Sequence, residues 1–343
     1  YSNASMARVG ILGASGYTGA ELLRLVAGHP DMELVVATGD SQAGTLASSL
    51  YPSLAAAYPN LVFSEFEPGL VEGLDLVFLG LPHEASMEIV PAIKDHVGCI
   101  VDLSAAYRLK DASLYPKWYG FEHTQPVELA RAVYGLPELH REALRNATLI
   151  ATPGCYVTAA TLALAPLLRE GLIEDSGIIV DAASGVSGAG RAAKPGSMFC
   201  AVDEDFSAYG LLDHRHTPEM EANLGASILF TPHLAPMNRG ILATCYARPA
   251  RDVTTASLLA TLARFYATEP FVVVGKGSPG TKATLGSNTV HITARFDERT
   301  GTVIVLAAED NLTKGASGGA VQSANVALGL PETAGLPVVG VYP

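Results

Sequence analysis

The stretch Ile150-Ala151-Thr152-Pro153-Gly154-Cys155-Tyr156-Val157-Thr158 joins the residue types that nucleophilic chemistry needs. An apolar run stops at Pro153, which cannot donate to a sheet ladder, and Gly154 permits a tight turn. Ala159 to Leu164 then reads as helix. Cys155 is therefore expected on a strand-to-helix turn, in the helix's first turn. Backbone N–H groups and the helix dipole favour anions there, and the thiolate is the nucleophilic form of cysteine. The same groups would stabilise an oxyanion formed when the thiolate attacks a carbonyl. The competing reading is a small buried cysteine at a helix start, since free cysteine is among the most buried residue types.

Two other segments carry reactive residue types. In Asp213-His214-Arg215-His216-Thr217-Pro218-Glu219, Thr217 is expected as a helix N-cap with Pro218 at the first helical position. His214 and His216 would then project the same way from an extended segment, and histidine is the usual acid–base residue. Ser184-Gly185-Val186-Ser187-Gly188-Ala189-Gly190-Arg191 is a Gly/Ser loop ending in arginine. Such a loop can wrap a phosphate or let a cofactor lie against backbone; it can equally be a flexible connection.

The elements that must position these residues begin with Arg8 to Leu12, a β-rich run leading into Gly13-Ala14-Ser15-Gly16-Tyr17-Thr18-Gly19 and the helical Ala20 to Val26. Strand, glycine turn and helix form the context of a dinucleotide site, although the spacing is GxxGxxG rather than GxGxxG. Gly13, Ser15, Gly16, Tyr17, Thr18 and Gly19 are the expected cofactor contacts. A second strand, Glu33 to Thr38, brings Thr38 and Ser41 to the same end, with Asp40 where an acid would meet the ribose of NAD. Ser41 and the lack of a nearby arginine leave NAD and NADP open. Further apolar runs at Leu74 to Leu79, Cys99 to Leu103 and Leu149 to Ala151 alternate with helices, which means a parallel sheet covered on both faces. Pro82, Ser104 and Cys155 each follow such a strand and should rim one crevice. Cys99 opens a strand and reads as core. After Cys155 the pattern changes to strands around Gly177 to Ser184, Ser227 to Tyr246, Asn288 to Arg295 and Val303 to Ala308, with a hairpin at Asp297 to Gly301 and a helix at Thr255 to Tyr266. This is a mainly antiparallel α+β part.

Composition bounds the rest. A chain of 343 residues exceeds the size at which one core stops growing, so two domains are expected. The net charge of −12, without a long Lys/Arg run, argues against nucleic-acid or anionic-membrane partners. Four scattered cysteines without a CxxC pair fit a reducing compartment, and no metal motif is present. No apolar run reaches transmembrane length. Residues 1–5 read as a cloning scar.

Taken together, Ala151 to Thr158 resembles the active-site signature of the N-acetyl-γ-glutamyl-phosphate reductases of arginine biosynthesis. The resemblance extends through Gly13 to Tyr17, Tyr134-Gly135-Leu136-Pro137-Glu138, Ser184 to Arg191, His214 to Glu219, Arg239-Gly240-Ile241 and Asp310 to Gly315. It implies an α/β protein with a Rossmann-type dinucleotide-binding domain and an α+β catalytic domain like those of semialdehyde and glyceraldehyde-phosphate dehydrogenases. Residues 6–152 with 317–343 would form the first, and 153–316 the catalytic and oligomerisation domain. It implies NADPH-dependent reduction of N-acetyl-glutamyl 5-phosphate to the 5-semialdehyde with phosphate release, in a cytoplasmic homotetramer or homodimer. Cys155 would be the nucleophile and His216 the acid–base group. Arg108, His214, Arg191 and Ser184 would hold substrate, and Pro82, Ser187, Gly188 and Asn311 would join the NADP(H) contacts. In the run Asp102 to Leu109 the family commonly has Asp where Ala106 stands, and Asp205 stands where Asn is common. The alternatives are a related reductase of an aminoadipyl or aspartyl phosphate, a cysteine hydrolase, and a non-catalytic dinucleotide sensor.

Overall fold

The computed structural model describes residues 6–343; the expected scar, 1–5, lies outside the described residues. The chain divides into two compact units. One holds the described residues up to Pro153 with Ala316–Leu336, and the other holds Gly154–Gly315 with Pro337–Pro343. The last seven residues thus differ from their expected place with the nucleotide-binding part. They dock on the second unit because its backbone takes them up: Asn288 N–H donates to Pro337 O at 2.7 Å, and Val341 N–H to Leu285 O at 2.8 Å.

In the first unit, strands β1 (Ala7–Leu12), β2 (Met32–Ala37), β3 (Leu76–Leu79), β4 (Cys99–Asp102), β5 (Val133–Tyr134) and β6 (Leu149–Ala151) form one sheet in the order β2-β1-β3-β4-β6-β5. Every pairing is parallel. β3 and β4 are buried at every position, as continuous apolar strands covered on both faces must be. The two-residue β5 was not legible in the sequence, since no apolar run marks it. The helix Tyr17–Ala27 returns β1 to β2, and the helix His83–Ile93 returns β3 to β4. β1 therefore has its sequence successor on one side and β3 on the other. This reversal of strand order is where open α/β sheets bind ligands, beyond the strands' carboxyl ends. The helix Gly318–Ala327, buried along almost its whole length, brings the late chain back to this unit. Gln322 Nε2 there donates to Glu138 Oε1 at 3.0 Å and Glu332 Oε1 at 2.9 Å.

The second unit is built on a seven-stranded mixed sheet of β7 (Ile178–Gly185), β8 (Ser207–Ala208), β9 (Ile228–Ala235), β10 (Ile241–Ala247), β11 (Val272–Val274), β12 (Val290–Asp297) and β13 (Thr302–Glu309). The order is β11-β12-β13-β10-β7-β9-β8. Only β11–β12 and β7–β9 are parallel pairs. Residues of β10 alternate buried and half-buried, so one face of the sheet carries the core. The helix Cys155–Arg169 lies on β10 and β13, and its residues 156–167 are all buried. The helix Thr255–Phe265 packs against it and against β12, and Tyr266 Oη donates to Leu162 O at 2.7 Å. Thr254 caps that helix by accepting from Ser257 N–H.

Gly13 has φ +82°, and a Cβ there would collide with the Gly80 carbonyl that ends β3. Gly13→Ala should therefore destabilise the first unit by about 1–3 kcal/mol. The check is the urea midpoint and the nucleotide affinity, both of which should fall; an unchanged midpoint would show that the turn relaxes freely.

Candidate active site

In the first unit the glycine turn is held from several sides. Gly13 N–H donates to Thr38 Oγ1 at 3.2 Å, Ala14 N–H to Thr38 O at 2.7 Å, and Ser15 Oγ to Gly39 O at 3.0 Å. Ser317 Oγ donates to Thr18 O at 2.8 Å, and Tyr51 Oη to Ser15 O at 2.7 Å. A Cβ on Gly19 would sit 2.5 Å from Ala14 Cα, so the turn and the helix start can pack this closely only without side chains. Gly16 is the N-cap and no side chain caps the helix. The donors of its first turn and the dipole of an eleven-residue helix face the turn, which is the donor set a pyrophosphate takes. The residues expected to hold a nicotinamide dinucleotide thus fit one. Asp40 has φ +47° and Ser41 is exposed, both in a short 3₁₀ turn after β2. Pro82 precedes the helix His83–Ile93 as its N-cap residue.

Arg108 belongs to the same unit and is half-buried, with Nη2 donating to Leu103 O at 2.9 Å. Beside it Asp102 is fully buried. Ser104 Oγ donates to it at 2.7 Å, Ser104 N–H at 3.0 Å and Ser86 Oγ at 2.9 Å. Burial nevertheless pushes the Asp102 carboxyl above its usual range. Ala106 is fully buried, with its N–H donating to Ser104 Oγ at 3.1 Å.

Cys155 is the first residue of the fifteen-residue helix Cys155–Arg169 and is half-buried. Cys99 and Cys245, by contrast, are buried and their thiols are pushed up to about 12 by loss of solvent. Gly154 N–H donates to Glu219 Oε1 at 2.9 Å, and Glu219 is fully buried. The His216 ring lies on the open face of Gly154: a Cβ there would collide with Nε2 and meet Cε1 at 2.7 Å. One helix therefore sends two groups to the turn before Cys155, His216 from its N-cap and Glu219 from its first turn. The helix begins at Thr217 rather than Pro218, one residue earlier than expected.

His214 and His216 do come together, with ring centroids 4.7 Å apart, but through a turn and not an extended segment. Thr217 N–H donates to His214 O at 3.0 Å, and His216 N–H to His214 Nδ1 at 3.1 Å. Nδ1 is thus an acceptor, and the ring carries its proton on Nε2. Burial, then the neighbouring Arg215, hold its pKa down at about 4. A ring held neutral would meet a substrate as a hydrogen-bond donor from Nε2, and it also shapes the turn that carries His216. Tyr156 edges both rings, and its Oη lies 3.1 Å from Tyr209 Oη and donates to His233 O at 3.0 Å.

A third cluster joins the loop after β7 to the loop after β13. Asn311 Oδ1 accepts from Gly240 N–H at 2.7 Å and its Nδ2 donates to Ser187 Oγ at 3.0 Å. Ser184 Oγ donates to Gly185 O at 3.0 Å, and it lies 3.0 Å from where a Gly188 Cβ would stand. Asn311 is thereby a tie between loops as well as a candidate contact. Arg191 is half-exposed in the same loop. Sequence reasoning named Glu219 and Gly315 only as parts of segments and missed Glu309; the acid in the first helical turn at 219 was the one available signal.

Residues 8–147 match the family described as semialdehyde dehydrogenase, NAD binding domain, and residues 155–311 that described as semialdehyde dehydrogenase, dimerisation domain. An N-acetyl-gamma-glutamyl-phosphate reductase of Citrifermentans bemidjiense is 49% identical, covering 98% of this chain and 100% of the relative. That of Moorella thermoacetica is 46% identical with the same coverage. The chain belongs to the N-acetyl-γ-glutamyl-phosphate reductase family. Among solved structures, aspartate semialdehyde dehydrogenase II of Vibrio cholerae, complexed with ASA, shares the fold with a TM-score of 0.70 at 16% identity, covering 94% of this chain and 98% of that one. The Candida albicans aspartate semialdehyde dehydrogenase with NADP gives 0.67 at 15%, with the same coverage. An N-acetyl-γ-glutamyl-phosphate reductase by family, this chain is an oxidoreductase of the phosphorylating semialdehyde dehydrogenase type with a nicotinamide-nucleotide-binding domain. The aspartyl and aminoadipyl alternatives are not favoured, since the relatives near half identity carry neither name. No helix among the described residues is long and apolar enough to cross a membrane.

Two outcomes follow from this geometry. Gly154→Ala should displace the His216 ring and lower kcat by about 10²-fold or more while the melting temperature moves little, because small misplacements at a reacting centre are costly. Equal kcat in variant and wild type would separate His216 from the reaction. The second concerns His214, whose folded value of about 4 lies below the ordinary 6.5. The unfolded chain then binds the extra proton, so stability is intact above pH 6.5 and falls as pH drops toward 4. The loss from this group should be about 2–3 kcal/mol, discounted for its partial exposure. Urea midpoints across that window should fall less in His214→Gln than in wild type; identical slopes would mean the ring is solvated.

Proposed function

We propose that this protein reduces N-acetyl-glutamyl 5-phosphate to N-acetyl-glutamate 5-semialdehyde, releasing phosphate through a thioester on Cys155, with NADPH as reductant. The observation that carries the reading is the pairing at one helix start: Cys155 opens the helix while the His216 ring rests on Gly154, the residue before it. An acyl phosphate is already activated, so the Cys155 sulfur can form the S–C bond as the acyl C–O bond breaks and phosphate leaves with the electron pair. The Sγ proton passes to the His216 imidazole, and N–H groups of the helix's first turn stabilise the oxyanion. The nicotinamide, when bound, supplies the hydride that reduces the thioester. His216 then gives its proton to the resulting thiohemiacetal oxygen and recovers it as Cys155 leaves as thiolate and the aldehyde forms. His216 finally returns that proton to the sulfur.

The remaining assignments belong to the same reading. Gly13, Ser15, Gly16, Tyr17, Thr18 and Gly19 hold the pyrophosphate, and Thr38, Ser41, Pro82, Ser187, Gly188 and Asn311 are the further nucleotide contacts that the family resemblance implies. Arg108 and Arg191 hold anionic substrate groups, and Ser184 lines the substrate. A homodimer or homotetramer in the cytoplasm completes it: the second matched region is described as a dimerisation domain, and Phe199, Phe206, Leu211 and Leu212 are exposed at 78%, 59%, 61% and 77%. A second copy of the chain is the occupant such an apolar surface suits.

Cys155→Ser should abolish turnover, and His216→Ala should lose about 10²–10⁴-fold in kcat, the usual share of acid–base catalysis. Mass spectrometry after mixing with acyl phosphate alone should find the acyl group on Cys155 in wild type. Its appearance on Cys99, Cys200 or Cys245 overturns the mechanism. NADP⁺ should give the higher kcat/KM than NAD⁺ in phosphate-dependent oxidation of the semialdehyde; the reverse order would mean that Asp40 governs cofactor choice through the ribose hydroxyl.

A further inference from the structure

Tyr209 follows the short strand β8 and opens the segment that leads to both histidines. β8 runs antiparallel along β9, with Ser207 opposite Leu234 and Ala208 opposite His233. Tyr209 N–H continues that attachment by donating to Pro232 O at 3.1 Å. At Gly210, φ +56° turns the chain, and a Cβ there would meet His214 Cδ2 at 3.2 Å. The segment thus leaves β9 and folds back until the His214 ring rests against Gly210.

Side chains tie the same segment to the helix that Cys155 opens. Tyr156, the second residue of that helix, is buried, and its Oη donates to His233 O at 3.0 Å. A phenol has one proton to give. The 3.1 Å bond between the two phenol oxygens is therefore donated by Tyr209 and accepted by Tyr156. Ser184 is a further partner of the Tyr156 phenol. Three rings stand edge-on around His214: Tyr209 at 5.6 Å, Tyr156 at 5.8 Å and Phe230 at 5.1 Å between centroids. Burial raises both phenols, Tyr209 to about 12, so the Tyr209 proton is in place at neutral pH. The charge of Cys155 contributes to both shifts, which puts the two hydroxyls within electrostatic reach of that residue.

We propose that Tyr209 is a positioning residue: its hydroxyl, bonded to the neighbour of Cys155, fixes the His214–His216 turn against the helix that carries the nucleophile. This rests on the reading of Cys155 and His216 as the reacting pair. A phenylalanine at 209 would keep the ring contact with His214, so what the hydroxyl adds is a directed link between two distant chain segments. His216 N–H donates to His214 Nδ1, and a displaced His214 would carry His216 with it. A misplacement of about 1 Å at a reacting centre can cost on the order of 10²-fold in rate.

The test is phosphate-dependent oxidation of N-acetyl-glutamate 5-semialdehyde with NADP⁺ by the full-length enzyme. Tyr209→Phe should lower kcat by about 10–100-fold while KM for NADP⁺ stays within about two-fold. Tyr156→Phe removes the other end of the link. The double variant Tyr156→Phe/Tyr209→Phe should then be no slower than Tyr156→Phe alone, because a bond already broken cannot be lost again. A general loosening of the fold would not give that coupling. Wild-type kcat in Tyr209→Phe, or losses that multiply in the double variant, overturns the role of Tyr209. If Tyr156→Phe does not fold, Tyr209→Ala replaces it. Tyr209→Phe falling as far as Tyr209→Ala supports the hydroxyl link, and a fall confined to Tyr209→Ala assigns the effect to the ring and overturns it. Absence of turnover in the wild type overturns instead the proposed reaction, and this role with it.

Discussion

The N-terminal end of the Cys155–Arg169 helix depends on close approach at two positions that carry no side chain. At Gly154 the His216 ring takes the space of a Cβ, and at Gly315 that space is shared by Cys155 and Glu309. The Glu219 carboxylate, buried on Gly154 N–H, fixes the backbone between them. Cysteine at a helix start is a common arrangement; what distinguishes this one is that an imidazole and two buried carboxyl groups reach the same turn from other elements. His216 and Glu219 come in on one helix and Glu309 on a strand, all far from Cys155 along the chain, so none of the contacts is local.

The nucleotide-binding unit rests on a comparable economy. The turn after β1 and the end of β3 meet at the reversal of strand order, where Gly13 lies against the Gly80 carbonyl and Gly19 against Ala14. Thr38 serves both as strand end and as acceptor for the Gly13 amide. These contacts leave the first-turn amides of the Tyr17–Ala27 helix facing the turn without a side-chain cap, the donor set that a GxGxxG turn also presents.

Buried polar groups elsewhere act mainly as ties. Asn311 joins the loops at 187 and 240, Asp310 gathers three amides, and Asp102 gathers two serines. Each satisfies donors that would otherwise be buried without partners, which is costly in a protein interior. These bonds tie the loops around 187, 240 and 310 to one another, and fixed supports are what a reacting centre needs.

By itself the sequence determined the two-part α/β architecture, the glycine turn, the strand-to-helix step at Cys155 and the nearness of His214 to His216. Those features are written in periodicity and in single residues whose backbone demands are local: apolar runs, Pro153, Gly154, the glycines from 13 to 19. Other features were settled only in tertiary structure. Burial and Arg215 make His214 neutral, and a turn rather than an extended strand presents His216. Glu219 and Glu309 lie 64 and 154 residues from Cys155 along the chain, and their meeting with it depends on sheet register and helix packing. Residues 337–343 join the second unit through two backbone hydrogen bonds that no side-chain pattern encodes. Local conformation follows from neighbouring residues, whereas charge state and long-range proximity follow from what the folded chain places around a group and removes from water.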